Sequence, residues 1–118
     1  HAELRDVDCI YTGDLGLVGS QMLRELLAAE GLLLKNHADC GCLLYDAGEQ
    51  RGKSGGSGAG CCAAVLCGHI LPKLLRRGSR RVLFIAPGAL MSQTTFLQKE
   101  SIPAVAHLVE LTAPENET

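Results

Sequence analysis

Tryptophan is absent from this chain, and two tyrosines and two phenylalanines (Tyr11, Tyr45, Phe84, Phe96) are its only aromatic residues. So few ring faces exclude the stacking platforms on which single-stranded nucleic acid is held. An excess of positive charge is also missing: 11 Lys and Arg stand against 13 Asp and Glu, for a net charge of −2. There is no electrostatic case for a nucleic-acid partner. No apolar run approaches the roughly 20 residues of a membrane-spanning helix, and nothing resembles a signal peptide. Six cysteines without such a signal predict a reducing compartment in which the thiols stay free. At 118 residues the chain is one domain at most, large enough to bury a core.

Glycine is abundant, and its placement is informative. Residues 52–67, GKSGGSGAGCCAAVLC, run from a glycine-rich turn directly into an apolar helix. Gly52, Gly55, Gly56, Gly58 and Gly60 remove Cβ atoms where backbone must turn sharply or approach something closely. Ser54 and Ser57 suit an N-cap, and the stretch from Cys61 to Leu75 carries no acid. A helix apolar on nearly every face is expected at the centre of a layered domain. Its N-terminus would aim free N–H donors and a partial positive charge at whatever lies there. Two readings stay open, a tight turn before a buried helix and a ligand-facing loop. A Walker A loop is excluded, because Lys53 precedes the glycines and no G-K-[ST] closes them.

Along the chain, strands and helices alternate. Val7–Tyr11 is β-rich and runs into Thr12-Gly13-Asp14. Leu15–Glu30 has helical periodicity through Leu15, Val18, Met22, Leu26 and Leu27, with Gly31 as its C-cap. Cys42–Tyr45 is a second short strand, followed by a polar loop from Asp46 to Gly52. The buried helix spans Ser57–Leu75, with Pro72 near its end and Gly78 beyond. Arg81–Ala86 reads as a buried strand broken by Pro87-Gly88, and Ile102–Leu111 as a last, antiparallel strand. Pro114–Thr118 is a disordered polar tail. The order β-α-β-α-β-β predicts a three-layer α/β domain over residues 1–113, with a mixed sheet and a central buried helix.

The remaining polar groups have plain explanations. Arg76, Arg77, Arg80 and Arg81 cluster at a helix end, where they suit the dipole. His37, Cys40, Cys42, Cys61 and Cys62 suggest zinc, but no C-x-x-C pair exists, so no metal is assigned. Cys61, Cys62 and Cys67 are expected as small buried hydrophobes rather than reactive thiols. His69 and His107 read as hydrogen-bonded core histidines, and Lys99 and Glu100 as solvated.

Four segments together carry a family resemblance: DCIYTGDLGLVGSQMLRELL, KNHADCGCLLYD, GGSGAGCCAAVLCGHIL and VLFIAPGALMSQTTFLQKESIPAVAHLVEL. Over residues 8–111 they resemble the end of the stage V sporulation protein AD family, a branch of the thiolase-like superfamily. The most specific elements are TGDLG, Asp39-Cys40-Gly41, the G-G-S-G turn and the stretch from Gly88-Ala89-Leu90 to Gln98-Lys99-Glu100-Ser101-Ile102-Pro103.

The resemblance implies the C-terminal half of a two-half thiolase-like fold, and His1 in place of methionine fits a truncated chain. It implies a component that binds dipicolinate, as its calcium chelate, for uptake into the developing spore. Such a component needs no cofactor. It works with its own N-terminal half and with integral-membrane transport subunits, peripherally on the cytoplasmic side of the spore inner membrane. Condensing enzymes of this fold carry a His in the turn after the first strand of this half, and an Asn or His in the glycine-rich turn. Here those turns read Thr12-Gly13-Asp14 and Gly55-Gly56-Ser57, with neither an imidazole nor a carboxamide to polarise a thioester carbonyl. A non-catalytic role is expected, with an acyl-thioester enzyme of altered catalytic residues as the alternative. Thr12, Ser54, Gly55, Gly56 and Ser57 are the expected contacts for a ligand carboxylate. Asp14 is expected to meet calcium or a basic side chain.

Overall fold

In the computed structural model the described residues are 7–44, 56, 59–76, 78–89, 97–99, 101 and 104–114. They form a mixed α/β fold. Strand β1 (Cys9–Thr12) is followed by helix α1 (Gly16–Ala29), β2 (His37–Asp39) and a short helix α2 (Cys40–Leu44). Helix α3 (Ala59–Val65), a π-helical turn (Leu66–Ile70) and α4 (Leu71–Leu75) then run on as one rod, and β3 (Arg81–Ala89) and β4 (Ala104–Thr112) close the chain. The sheet order is β2-β1-β3-β4. β1 is parallel to both neighbours, and β3 and β4 are antiparallel. That is the expected mixed sheet, with its antiparallel final strand.

Alternation along β1 and β3 sorts the core onto two faces. Tyr11, Val82 and Phe84 pack with Cys40, Cys61, Val65, Ile70 and Leu74 under the helical rod. Ile10 and Leu83 point the other way and pack with Val7, Leu34 and Ile85. Helix α1 ends as Gly31 predicts: at φ 85° it lets its N–H reach Ala28 O (3.0 Å) while Leu32 N–H reaches Leu27 O (2.8 Å). These are the paired bonds of a Schellman cap.

Five details depart from the sequence expectations. The second strand lies at His37–Asp39, and of the expected strand Cys42–Tyr45 the described residues 42–44 belong to the helix Cys40–Leu44. Asp39 accounts for the switch, because its carboxylate accepts the Cys42 N–H (3.3 Å) and so starts a helical turn. Pro87-Gly88 does not end β3, which continues to Ala89 opposite Ala104. β1 stops pairing at Ile85, so beyond it β3 has an open side on which a proline lacks no ladder partner.

Helix α1 turns Val18, Met22 and Leu26 outward and buries Gly16 and Ser20 instead. The rod is buried along one face only: Cys61, Val65, Ile70 and Leu74 are inside, while Ala63, Ala64, Cys67, Gly68 and His69 are exposed. The sheet covers one side of it, and among the described residues no second layer covers the other. The two histidines expected in the core are outside it. His107 is exposed on the edge strand β4, and His69 lies on the π-helical turn with its ring edge-on to Tyr11, 6.4 Å between centroids.

Pro72 explains the widened turn of the rod. A proline inside an α-helix has no N–H and crowds the carbonyl four residues back. The turn immediately before it opens to the π pattern, with Leu71 N–H bonded to Leu66 O. The extra residue relieves that crowding without breaking the rod.

Candidate functional site

The first turn, Thr12-Gly13-Asp14, leaves β1 at the C-terminal end of the parallel strands, where ligands bind in open α/β sheets. Gly13 is buried, and a Cβ there would lie 3.1 Å from Pro87 Cδ and 3.5 Å from Cys62 Cβ. The turn is therefore pressed between the β3 strand and the start of the rod. Cys61 is buried beneath it, its Sγ directed at Gly13 O (3.9 Å).

The organising group of this region is Asp39, at the end of β2 and 3% exposed. Its Oδ1 accepts the Thr12 hydroxyl (2.6 Å) and the Leu15 N–H (2.9 Å). Its Oδ2 accepts the Gly16 N–H (2.9 Å) and the Cys42 N–H (3.3 Å). A buried carboxylate is tolerable only with such a set of donors. It occupies the N-terminus of α1 as an internal anion and offsets the helix dipole there. Gly16 enters the helix at φ 75°, a conformation open to glycine at little cost.

His37, two residues earlier on β2, completes the group with Nε2 2.9 Å from Thr12 Oγ1. The Thr12 hydroxyl has one proton and gives it to Asp39, so the imidazole must be the donor, protonated at Nε2. Nδ1 is then the bare nitrogen, and it is buried without a hydrogen-bond partner. Burial first, and then the Arg24 charge, hold the His37 pKa below its usual value, while Asp39 opposes them. The ring is neutral at physiological pH.

Burial likewise holds Cys9, Cys40, Cys42 and Cys61 in the thiol form. None of the six cysteines, all among the described residues, is in a disulfide. Burial pushes the Cys40 thiol up to about 12, with Asp39 adding to the effect. Cys61 is also raised, first by burial and then by Asp14 and Asp39, so the helix start does not activate it. Among the described residues no group of three His, Cys, Asp or Glu side chains is arranged to hold a metal ion.

The expected ligand contacts divide sharply. Thr12 is 1% exposed and its hydroxyl is committed to Asp39 and His37. Gly56 is buried and its N–H donates to Gly41 O (2.7 Å). Neither group is turned toward a ligand, because each is engaged in holding the turns together. Asp14 is partly exposed beside them. Ser54, Gly55 and Ser57 lie outside the described residues. Asp39 and His37 were not recognisable as partners of Thr12 from the sequence. The nearest signal was the Asp39-Cys40-Gly41 segment, whose aspartate is of the N-cap type that starts a helix.

At the far end of the rod Arg76 meets a helix carbonyl as the sequence suggests, whereas Arg80 and Arg81 are engaged away from the helix end. Arg76 Nε donates to Pro72 O (3.3 Å), and Arg81 pairs with Glu110 (2.8 Å) across β3 and β4. Asp8 accepts the backbone N–H groups of Arg80 and Arg81, and these bonds lower its pKa. Arg77 lies outside the described residues.

The family profile of stage V sporulation protein AD (SpoVAD) matches residues 1–112. Stage V sporulation protein AD of Bacillus subtilis (strain 168) is 43% identical over 103 residues, which are 86% of this chain and 30% of that protein. The chain thus spans about 30% of the length of this relative. With nearly its whole length matched to one profile, the chain belongs to the stage V sporulation protein AD family.

Proposed function

We propose that this chain serves as the C-terminal half of a non-catalytic, thiolase-like component that binds dipicolinate during sporulation. Family membership supports the sporulation setting. The observation that carries the non-catalytic reading is the state of the first turn. The only imidazole reaching it among the described residues is His37, which donates to Thr12 through Nε2 and has Nδ1 buried. With Nε2 engaged and Nδ1 buried, neither nitrogen is turned outward to polarise a thioester carbonyl or shuttle a proton.

The glycine-rich turn is the better candidate for the ligand. Thr12 and Gly56 act in the framework, so the carboxylate contacts narrow to Ser54, Gly55 and Ser57. Asp14 faces calcium or a basic group. Dipicolinate carries two carboxylates, and short charge-assisted hydrogen bonds from N–H and O–H groups suit it. In this reading the N-terminal half completes the pocket, and membrane-embedded subunits pass the chelate onward. No described helix is long and apolar enough to cross a membrane.

Calorimetric titration of the natural full-length protein with dipicolinate, with and without calcium, tests the proposal. Saturable binding is expected; no heat of binding in either condition would overturn it. Incubation with acetyl-CoA and malonyl thioesters tests the non-catalytic part, for which no turnover is expected.

A further inference from the structure

We propose that Asp39-Cys40-Gly41 is a positioning bracket that holds the Thr12-Gly13-Asp14 turn and the glycine-rich turn in one fixed relation, with Asp39 as its key residue. The inference rests on the ligand site proposed above. One end of the bracket is the Asp39 carboxylate, whose four hydrogen bonds fix Thr12, the first turn of α1 and the start of α2. The other end is the Gly41 carbonyl, which accepts the Gly56 N–H at 2.7 Å. One residue, Cys40, separates these ends along the chain, too little for either turn to shift independently of the other.

The fit is tight as well as bonded. A Cβ on Gly41 would overlap the Gly56 carbonyl oxygen, and it would lie 2.9 Å from Asp39 Oδ2. Only glycine at 41 lets Gly56 settle against the segment whose carboxylate orders the first turn. Asp39 touches no ligand in this arrangement. It acts through Thr12, Leu15, Gly16 and, by way of Gly41, Gly56.

Amide hydrogen exchange and dipicolinate titration on the natural full-length protein separate this role from mere folding. In Asp39→Asn one acceptor oxygen becomes an N–H donor facing the backbone donors. The amides of Leu15, Gly16 and Gly56 should then exchange about tenfold faster or more, while Val82 and Phe84 in the sheet keep their protection. Dipicolinate affinity should fall about tenfold or more in the same variant. Gly41→Ala keeps the carboxylate's charge and Oδ1 contacts and chiefly tests the other end: Gly56 should lose protection and affinity should drop, with protection of Leu15, which bonds Oδ1, kept.

Unchanged Gly56 exchange in both variants would overturn the bracket. So would loss of Gly56 protection with dipicolinate affinity intact. If the unmodified protein binds no dipicolinate, the proposed function fails, and the exchange data still decide the bracket. If Asp39→Asn does not fold, Thr12→Val and Thr12→Ser replace it. Val should loosen Leu15 and Gly16 and Ser should restore them; equal protection in the two would count against the proposal.

Discussion

Gly13 and Pro87 meet side by side, 74 positions of sequence apart, with 3.1 Å between the proline Cδ and the point where a Cβ on Gly13 would stand. The contact packs the turn after β1 against β3 just past the last β1–β3 pair, Thr12 and Ile85. A pyrrolidine ring cannot swing aside as a long side chain can. Gly13→Ala should therefore destabilise the fold by about 1–3 kcal/mol, the usual cost of overpacking. Pro87→Ala should recover part of that loss in the double variant, because the two sites are in contact. Urea denaturation of the four proteins measures the coupling; additive effects would mean that the turn relaxes away from β3.

The pH response is set at the other side of the same turn. The folded protein keeps His37 neutral more strongly than the unfolded chain does, mainly through burial. The unfolded state therefore binds more protons below the ordinary histidine range, and stability rises with pH there. The contribution is complete above the unfolded pKa of about 6.5 and is lost as pH falls through it toward the lower folded value. His37→Gln, which retains an N–H donor, should flatten this part of the profile. Unfolding midpoints between about pH 8 and 5 measure the slope. Nitrogen chemical shifts of the ring should show Nε2 as the protonated nitrogen, and a protonated Nδ1 would contradict the hydrogen-bond assignment.

Much of this architecture could be read from local pattern. β3 is a continuous apolar run, Gly31 stops α1, and β4 alternates, all signals contained in about ten neighbouring residues. The misreadings arise where distant residues decide. Cys42–Tyr45 is the more β-like segment, yet His37–Asp39 pairs with β1, since Ile10 and His37 align and Asp39 then starts α2. The same holds at Thr12 and Gly56, whose partners are distant in sequence. A hydroxyl and an N–H that look available in sequence are engaged by Asp39 and Gly41, which only the folded chain brings near. The outward turn of Val18, Met22 and Leu26 likewise follows from packing Gly16 and Ser20 inward, a choice that periodicity cannot rank.

Those outward residues have consequences in solution. Leu17, Val18, Met22 and Leu26 on α1, and Val105, Leu108 and Val109 on β4, are all exposed large hydrophobics. β4 is also nine residues long and, among the described residues, an edge strand with β3 as its one neighbour in the sheet. Apolar patches and unprotected edges of this kind drive association. The 118-residue chain by itself should self-associate at micromolar concentration, and Val105→Lys with Leu108→Lys should shift it toward monomer. Sedimentation velocity checks both statements; a monodisperse monomer without the substitutions would show that these surfaces are tolerated as they stand.

Ligand binding gives the sharpest contrast among single substitutions. Ser57 stands in the glycine-rich turn, among the contacts proposed for a dipicolinate carboxylate. Ser57→Asp places a negative charge where an anion is to be held and removes a hydroxyl donor. The loss should be at least that of one charge-assisted hydrogen bond, about 1.5–3 kcal/mol, and so about tenfold or more in affinity. Ser57→Ala removes the donor without adding charge and should cost less than Ser57→Asp. Arg80→Ala serves as the distant control, since Arg80 is exposed beyond the far end of the rod and meets Asp8 through its backbone N–H, which alanine keeps. Raising the salt concentration should narrow the gap between the Asp and Ala variants, because screening weakens the added repulsion and leaves the missing donor unchanged. Calorimetry on the folded variants, with calcium present and absent, measures each difference. Equal affinity for Ser57→Asp and the unmodified protein would place the carboxylate elsewhere than at the glycine-rich turn.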